Sequence, residues 1–169
     1  MKPHLVIGLG NPLMGDEGVG CLLAERLASD PRLPEDVEIF DGGADLLACA
    51  DRMAGRTRIT LLDAILDPSE PGAVRVFEGD FSALETGQPG AHALSAVAAL
   101  QLLQVAYPEL RDVRFKLITV AIDSAGFAAN LSPTLAAKVP QLQDQALREL
   151  VAGLEFLPGK ALDTHPGAE

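Results

Sequence analysis

Cysteine is scarce. The 169 residues hold only Cys21 and Cys49, and these are not in CxxC spacing. That excludes a disulfide framework or a zinc finger as the organising device and fits a reducing cytoplasm. Positive charge is scarce too. Thirteen Lys and Arg stand against 24 Asp and Glu, a net charge of −11. A chain this acidic lacks the basic surface that a general nucleic-acid binder needs against phosphate, and it is ill suited to docking on anionic lipid. Long apolar runs are missing as well. Leu5 to Leu9 is shorter than a signal-peptide core and ends in Gly10-Asn11-Pro12. The longest apolar stretch, Ala91 to Ala106, is broken by His92, Ser95, Gln101 and Gln104 and is too short to cross a bilayer. No internal repeat or low-complexity tract is present.

What is there is globular. Apolar residues make up 48% and charged residues 22%, which is the composition of a chain with a core and not of a disordered one. The length suits a single domain over residues 1–157, followed by a loose tail from 158 to 169 rich in Pro, Gly, Asp and Thr.

The run His4 to Leu9 is continuously apolar, which fits a strand buried on both faces in a parallel sheet. Further strands are expected near 37–41, 58–63, 73–78 and 115–122. Helices are expected from about Asp16, over Asp45–Met53, after His92 with Leu94, Val97, Leu100 and Leu103 inward, and over Pro133–Leu154. Ser132 is placed to cap the last helix and Pro133 to begin it, while Pro140 should kink or divide it. Strands alternating with helices imply a doubly covered, mostly parallel five-stranded sheet. The fourth strand follows the third through a short turn and is expected to be antiparallel.

In such a fold, chemistry belongs at the carboxyl ends of the parallel strands. Glu17 lies just after strand 1, Asp63 is expected to end strand 3, and His92 lies in a loop before a helix; Asp16 and Asp41 share that edge. Strands 1 and 3 are expected to be neighbours, which lets Glu17 and Asp63 converge. Two carboxylates and an imidazole make an O/N donor set that suits nickel or zinc better than calcium. Each residue also has a structural reading: Glu17 as a first-turn acid on a helix dipole, Asp63 as a satisfied strand-end carboxylate, His92 as a cap, Asp41-Gly42-Gly43 as a turn. No role is assigned to His4 or His165. The run Gly8-Leu9-Gly10-Asn11-Pro12-Leu13 fails as a dinucleotide fingerprint, because Leu13 stands where the third glycine belongs. Walker A, HExxH and GxSxG are absent, so a hydrolase built on this chain would favour metal-assisted attack by water over covalent catalysis.

The stretch from Gly8 to Gly20, GLGNPLMGDEGVG, resembles the N-terminal signature of the hydrogenase maturation endopeptidases. Asp41-Gly42-Gly43 resembles that family's DGG segment, Leu61-Leu62-Asp63-Ala64 its second acidic motif, and His92 its histidine. Thr119 to Ile122 and Leu131-Ser132-Pro133 resemble its last strand and last helix start. The likeness covers about residues 4 to 155. In one place the chain departs: many members follow DGG with Thr, whereas here Ala44-Asp45-Leu46 follows, which leaves the hydrogenase class open.

The resemblance implies a three-layer α/β/α sandwich. It implies an endopeptidase that removes the C-terminal extension of a [NiFe]-hydrogenase large-subunit precursor after nickel insertion. Glu17, Asp63 and His92 would be its catalytic and nickel-recognising residues, with Asp41, Gly42 and Gly43 near the substrate. Nickel would arrive with the precursor, and no tightly held metal of the protein's own is expected. The partner would be the precursor alone, with no nucleic acid and no membrane, and the protein a cytoplasmic monomer. Two rivals stand beside this reading. One is a nickel-dependent maturation adaptor that binds without cutting. The other is a hydrolase like peptidyl-tRNA hydrolase, which also opens on Val6 to Pro12 but continues with a different motif; the charge of −11 also disfavours tRNA.

Overall fold

In a computed structural model of the chain, residues 1–79, Phe81 and residues 95–152 are described. Strands β1 (His4–Leu9), β2 (Val37–Gly43), β3 (Arg58–Leu66), β4 (Val74–Glu78) and β5 (Arg114–Ile122) form one sheet in the order β2-β1-β3-β5-β4. Neighbouring strands run parallel except β4, which pairs antiparallel with β5 at the edge. The strand order turns back on itself between β1 and β3, so the switch point lies there.

Helices α1 (Val19–Ala28), α2 (Ala50–Met53), α3 (Ala96–Ala106) and α4 (Pro133–Ala152) cover both faces. Alternation along each strand sorts the core into two halves. Leu5, Ile7, Ile59, Leu61, Phe115 and Leu117 pack with α2 and α3. Val6, Leu62, Ile118, Val120 and Ile122 pack with α1 and α4. Strand β1 is sandwiched on every side, and Leu5, Val6 and Ile7 are 0% exposed. This is why its sequence shows no polar alternation.

The architecture matches the sequence expectation, with several boundaries redrawn. Strand β3 does not end at Asp63 but runs to Leu66, because β5 continues to pair with it through Leu66–Ile122. The segment Asp41-Gly42-Gly43 is not a turn after β2 but its last residues, paired with Gly8 and Leu9 across a bulge. The first helix is preceded by a 3-10 turn, Gly15–Gly18. The second begins as a 3-10 turn, Leu46–Cys49, which Asp45 caps by accepting from Leu47 N through its Oδ1 at 2.9 Å. A 3-10 helix at Pro108–Asp112, which the sequence pattern did not suggest, leads into β5.

Helix α4 carries Pro140 but is not divided. Proline in a helix interior costs about 3 kcal/mol. Beyond it, Leu142, Ala146, Leu147 and Leu150 are buried against α1 and the sheet. At about 1.5–3 kcal/mol per buried leucine, that packing outweighs the break. Ser132 caps the helix as expected, its Oγ accepting from Leu135 N at 3.3 Å. Leu94, the expected inward residue ahead of α3, and the 158–169 tail lie outside the described residues. No described helix is long and apolar enough to cross a membrane.

His4 has a structural place that the sequence did not reveal. It is buried at the start of β1, with its Nε2 2.9 Å from Thr60 Oγ1. Burial first, then the nearby Arg58 charge, push its pKa down to about 4. A folded pKa below the unfolded value of about 6.5 means that the unfolded chain binds the extra proton first as pH falls. Stability should therefore be lost between about pH 6.5 and pH 4, by at most about 3 kcal/mol. Urea unfolding at a series of pH values should show a His4→Gln variant losing distinctly less stability over that window than the parent. Parallel curves would remove His4 as the source.

Candidate active site

The ladder between β1 and β3 stops at the pair Gly8–Leu62. Asp63 is the next residue of β3. It keeps Thr119 of β5 as a neighbour on one side but has no strand on the other. This opens the crevice at the switch point, on the sheet edge where ligands of such folds bind. The chain leaving β1 crosses above it and forms the 3-10 turn Gly15–Gly18, which packs on β3 and carries Glu17. Glu17 and Asp63 are thus brought together as expected, both only partly exposed.

Asp63 Oδ1 accepts from Ala64 N at 2.8 Å. Burial raises its pKa, the Ala64 hydrogen bond opposes this, and the Glu17 charge adds to the rise, leaving it at about 7. Near neutrality this carboxyl is therefore poised between acid and base. Among the described residues, neither Glu17 nor Asp63 has a Lys or Arg partner, in contrast to Asp30, Glu38, Asp67 and Glu70, which all do. His92 lies outside the described residues, and no group of three metal-ligating side chains comes together among those that are described.

The other acids on this edge have separate duties. Asp16, next to Glu17 in sequence, is buried and accepts from Ser132 N at 2.6 Å. It thereby ties the turn after β1 to the start of α4. Nothing local in the sequence marks this bond, which spans 116 positions. Asp41 is exposed at the end of β2, where its Oδ1 accepts from Gly43 N at 3.0 Å. It borders a cleft of about 340 Å³ against α1, lined also by Pro12, Cys21, Leu22 and Glu25. Asp41 is thus on the same edge as Asp63 but on the far side of β1.

The thiols are not nucleophiles of this site. Cys21 is buried in α1, with its Sγ donating to Gly10 O at 3.4 Å. Burial, reinforced by Asp41, pushes its pKa up to about 12. Burial likewise raises Cys49. A thiolate is the reactive form, so neither is primed to attack.

The structure is thus an α/β/α sandwich with two carboxylates, Glu17 and Asp63, at its switch point. The comparisons give the family. The model of the hydrogenase maturation proteases matches residues 21–149. The chain is 30% identical over 163 residues to the hydrogenase 2 maturation protease of Escherichia coli, covering 94% of this chain and 97% of that one. It superposes on the hydrogenase maturating endopeptidase HybD of E. coli with a TM-score of 0.75 at 30% identity, over 89% of this chain and 93% of the other. The [NiFe] hydrogenase maturation protease HybD from Thermococcus kodakarensis follows at 0.70 and 29%, over 87% and 97%. The chain belongs to the hydrogenase maturation protease family.

Two measurements check the site. A carbon-13 carboxyl titration should place Asp63 near pH 7, and Glu17→Gln should move that midpoint down by removing a like charge. Because the folded pKa of about 7 exceeds the unfolded value of about 4, Asp63 weakens the fold as pH rises from about 4 to about 7. Asp63→Asn should accordingly stabilise the protein at pH 8 by about 1–4 kcal/mol, while keeping an oxygen for Ala64 N. Asp16→Ala, by contrast, should destabilise it by about 1–3 kcal/mol through the orphaned Ser132 N–H. A thermal scan in which Asp16→Ala matches the parent would show that the bond to Ser132 is dispensable.

Proposed function

We propose that the protein is the endopeptidase that removes the C-terminal extension of a [NiFe]-hydrogenase large-subunit precursor once nickel has been inserted. The family membership supplies the class of reaction. The observation that carries the finer reading is the pair of carboxylates, Glu17 and Asp63, close enough for the Glu17 charge to act on Asp63 and with no Lys or Arg partner among the described residues. Such a pair is costly to maintain unless something positive arrives to meet it. In this reading the precursor brings nickel as cargo. Glu17, Asp63 and His92 meet that ion, and the contact reports that the metal is in place.

The scissile peptide then lies along the crevice between Asp63 and the Asp41-Gly42-Gly43 end of β2. A carboxylate of the pair, Glu17 or Asp63, can take a proton from the attacking water as general base. Nickel in the substrate can share that work by lowering the pKa of the water and polarising the carbonyl. Attack by water forms the tetrahedral carbon, and its collapse releases the peptide with a protonated amine. The resting protein needs no metal for these steps, and it works as a cytoplasmic monomer, since a large subunit has to reach the crevice.

The test is the mass of the large subunit after incubation with the purified protein. Loss of a C-terminal peptide from the nickel-loaded precursor is expected, with little or none from the metal-free form. Binding without a change of mass would favour the adaptor reading. Glu17→Gln, Asp63→Asn and His92→Ala should each reduce processing by at least about a hundredfold, and the double variants should be little worse than the singles, as for residues acting as a unit. Thiol- and serine-directed reagents should leave the rate unchanged. A folded Asp63→Asn that processes normally would take Asp63 out of the chemistry.

A further inference from the structure

The loops beside the crevice hold two large apolar side chains in water. Leu13, in the turn after β1, is 67% exposed, and Phe127, in the loop after β5, is 90% exposed. Ile65 and Leu66, on the part of β3 that overhangs the crevice, are also exposed. These four stand at the sheet edge that carries Glu17 and Asp63.

The exposure is not that of loose chain. Met14 and Ala128 form a parallel bridge. Ala128 N donates to Leu13 O at 3.1 Å, and Gly15 N donates to Ala128 O at 3.0 Å. Asp16 fastens the same two loops again through Ser132 N. Parallel pairing sets residues in register side by side with their side chains on one face. Leu13 and Phe127 each stand one residue before a partner of that bridge, so the backbone carrying both is fixed by three hydrogen bonds, and on the Leu13 side it continues directly into the turn bearing Glu17.

We propose that Leu13 and Phe127 form an apolar clamp that holds the precursor polypeptide at the lip of the crevice, gripping apolar side chains close to the scissile bond. The inference rests on the protease reading above and adds to it the part of the substrate that is not the metal. Continuity with the crevice selects this occupant: Leu13 leads directly into the turn Gly15–Gly18, so a polypeptide held there lies beside the carboxylate of Glu17. The net charge of −11 leaves little basic surface for gripping an acidic chain, so apolar contact is the means available here. Rigid apolar patches rimmed by polar groups are the usual form of such a surface.

The experiment measures cleavage kinetics of nickel-loaded precursor by the parent, by the double variant Leu13→Ser/Phe127→Ser, and by Leu13→Met/Phe127→Leu. Val105→Ser, which alters an exposed apolar residue on α3, is the control. The double serine variant should raise KM about tenfold with kcat within twofold. The conservative pair should restore KM, and the control should match the parent. Thermal midpoints should not move, because both side chains are already in water. A KM within twofold of the parent in the double serine variant overturns the clamp while leaving the protease reading intact. A parent that leaves the precursor uncut overturns both. Sedimentation showing that the parent is a dimer and the serine variant a monomer, with KM unchanged, would assign the patch to a second copy and overturn the clamp.

Discussion

The crevice depends on one close approach. Helix α1 begins directly on the carbonyl ends of β1 and β3, and it can do so only because Gly20 has no side chain: a Cβ there would run into the Leu9 and Leu62 carbonyl oxygens. Gly8 beneath it is equally constrained, since a Cβ would strike Ala24 and the Gly20 carbonyl. Gly10, at φ +137°, turns the chain back so that Glu17 arrives over the end of β3. The N-terminal glycines are therefore packing devices. They seat a helix start at the switch point, and with it a carboxylate above Asp63. The same need for close helix–strand contact explains why the motif looks like a dinucleotide fingerprint up to Leu13, where it diverges.

Much of this was legible in sequence because it was local. Continuous apolar runs marked the buried strands, and the short connection before Val74 marked the antiparallel edge. Ser132-Pro133 marked a helix start that the structure keeps. The order of strands put Glu17 and Asp63 on adjacent elements. What was hidden depended on partners far away in the chain. Asp63 looked like a strand end because its distinguishing feature is the loss of one neighbour, β1, while β5 continues beside it. A sequence shows where a strand's own pattern changes, not where its neighbour stops. Asp16 and Glu17 are adjacent acids of equal promise, yet one is consumed by a backbone N–H 116 residues later and the other is left for the crevice. The contact of His4 with Thr60 and the Met14–Ala128 bridge belong to the same category.

The distribution of charge sharpens the division of labour. Acids away from the crevice are put to structural use: Asp30 with Arg32, Glu38 with the buried Arg56, Asp67 with Arg75. Hydrogen bonding to these partners holds Asp30 and Glu38 below the ordinary carboxylate range, while Asp67 is held low first by its hydrogen bonds from Ser69 and then by the Arg75 charge. Asp63 moves the opposite way, because burial acts on it without a cation to compensate. Of the basic residues, Arg32, Arg56, Arg75, Lys116 and Lys138 pair with other carboxylates. The result is a local field at the switch point that favours whatever positive group enters.

Two kinds of surface thus meet at one edge of the sheet: carboxylates with no Lys or Arg partner among the described residues, and exposed apolar side chains on a hydrogen-bonded pair of loops. They make different demands on a partner. Carboxylates select for positive charge but would accept any free cation, whereas the lip selects for an apolar chain but is indifferent to metal. Neither feature alone discriminates a loaded precursor from an empty one or from free metal. A substrate that carries its cation within a polypeptide satisfies both at once, and the two contributions add only when it docks in a single orientation. The tie between the lip and the turn bearing Glu17, through the Met14–Ala128 bridge and the Asp16–Ser132 bond, fixes the spacing between the two tests. That spacing, and not the strength of either contact, is what would let such a site select one bond.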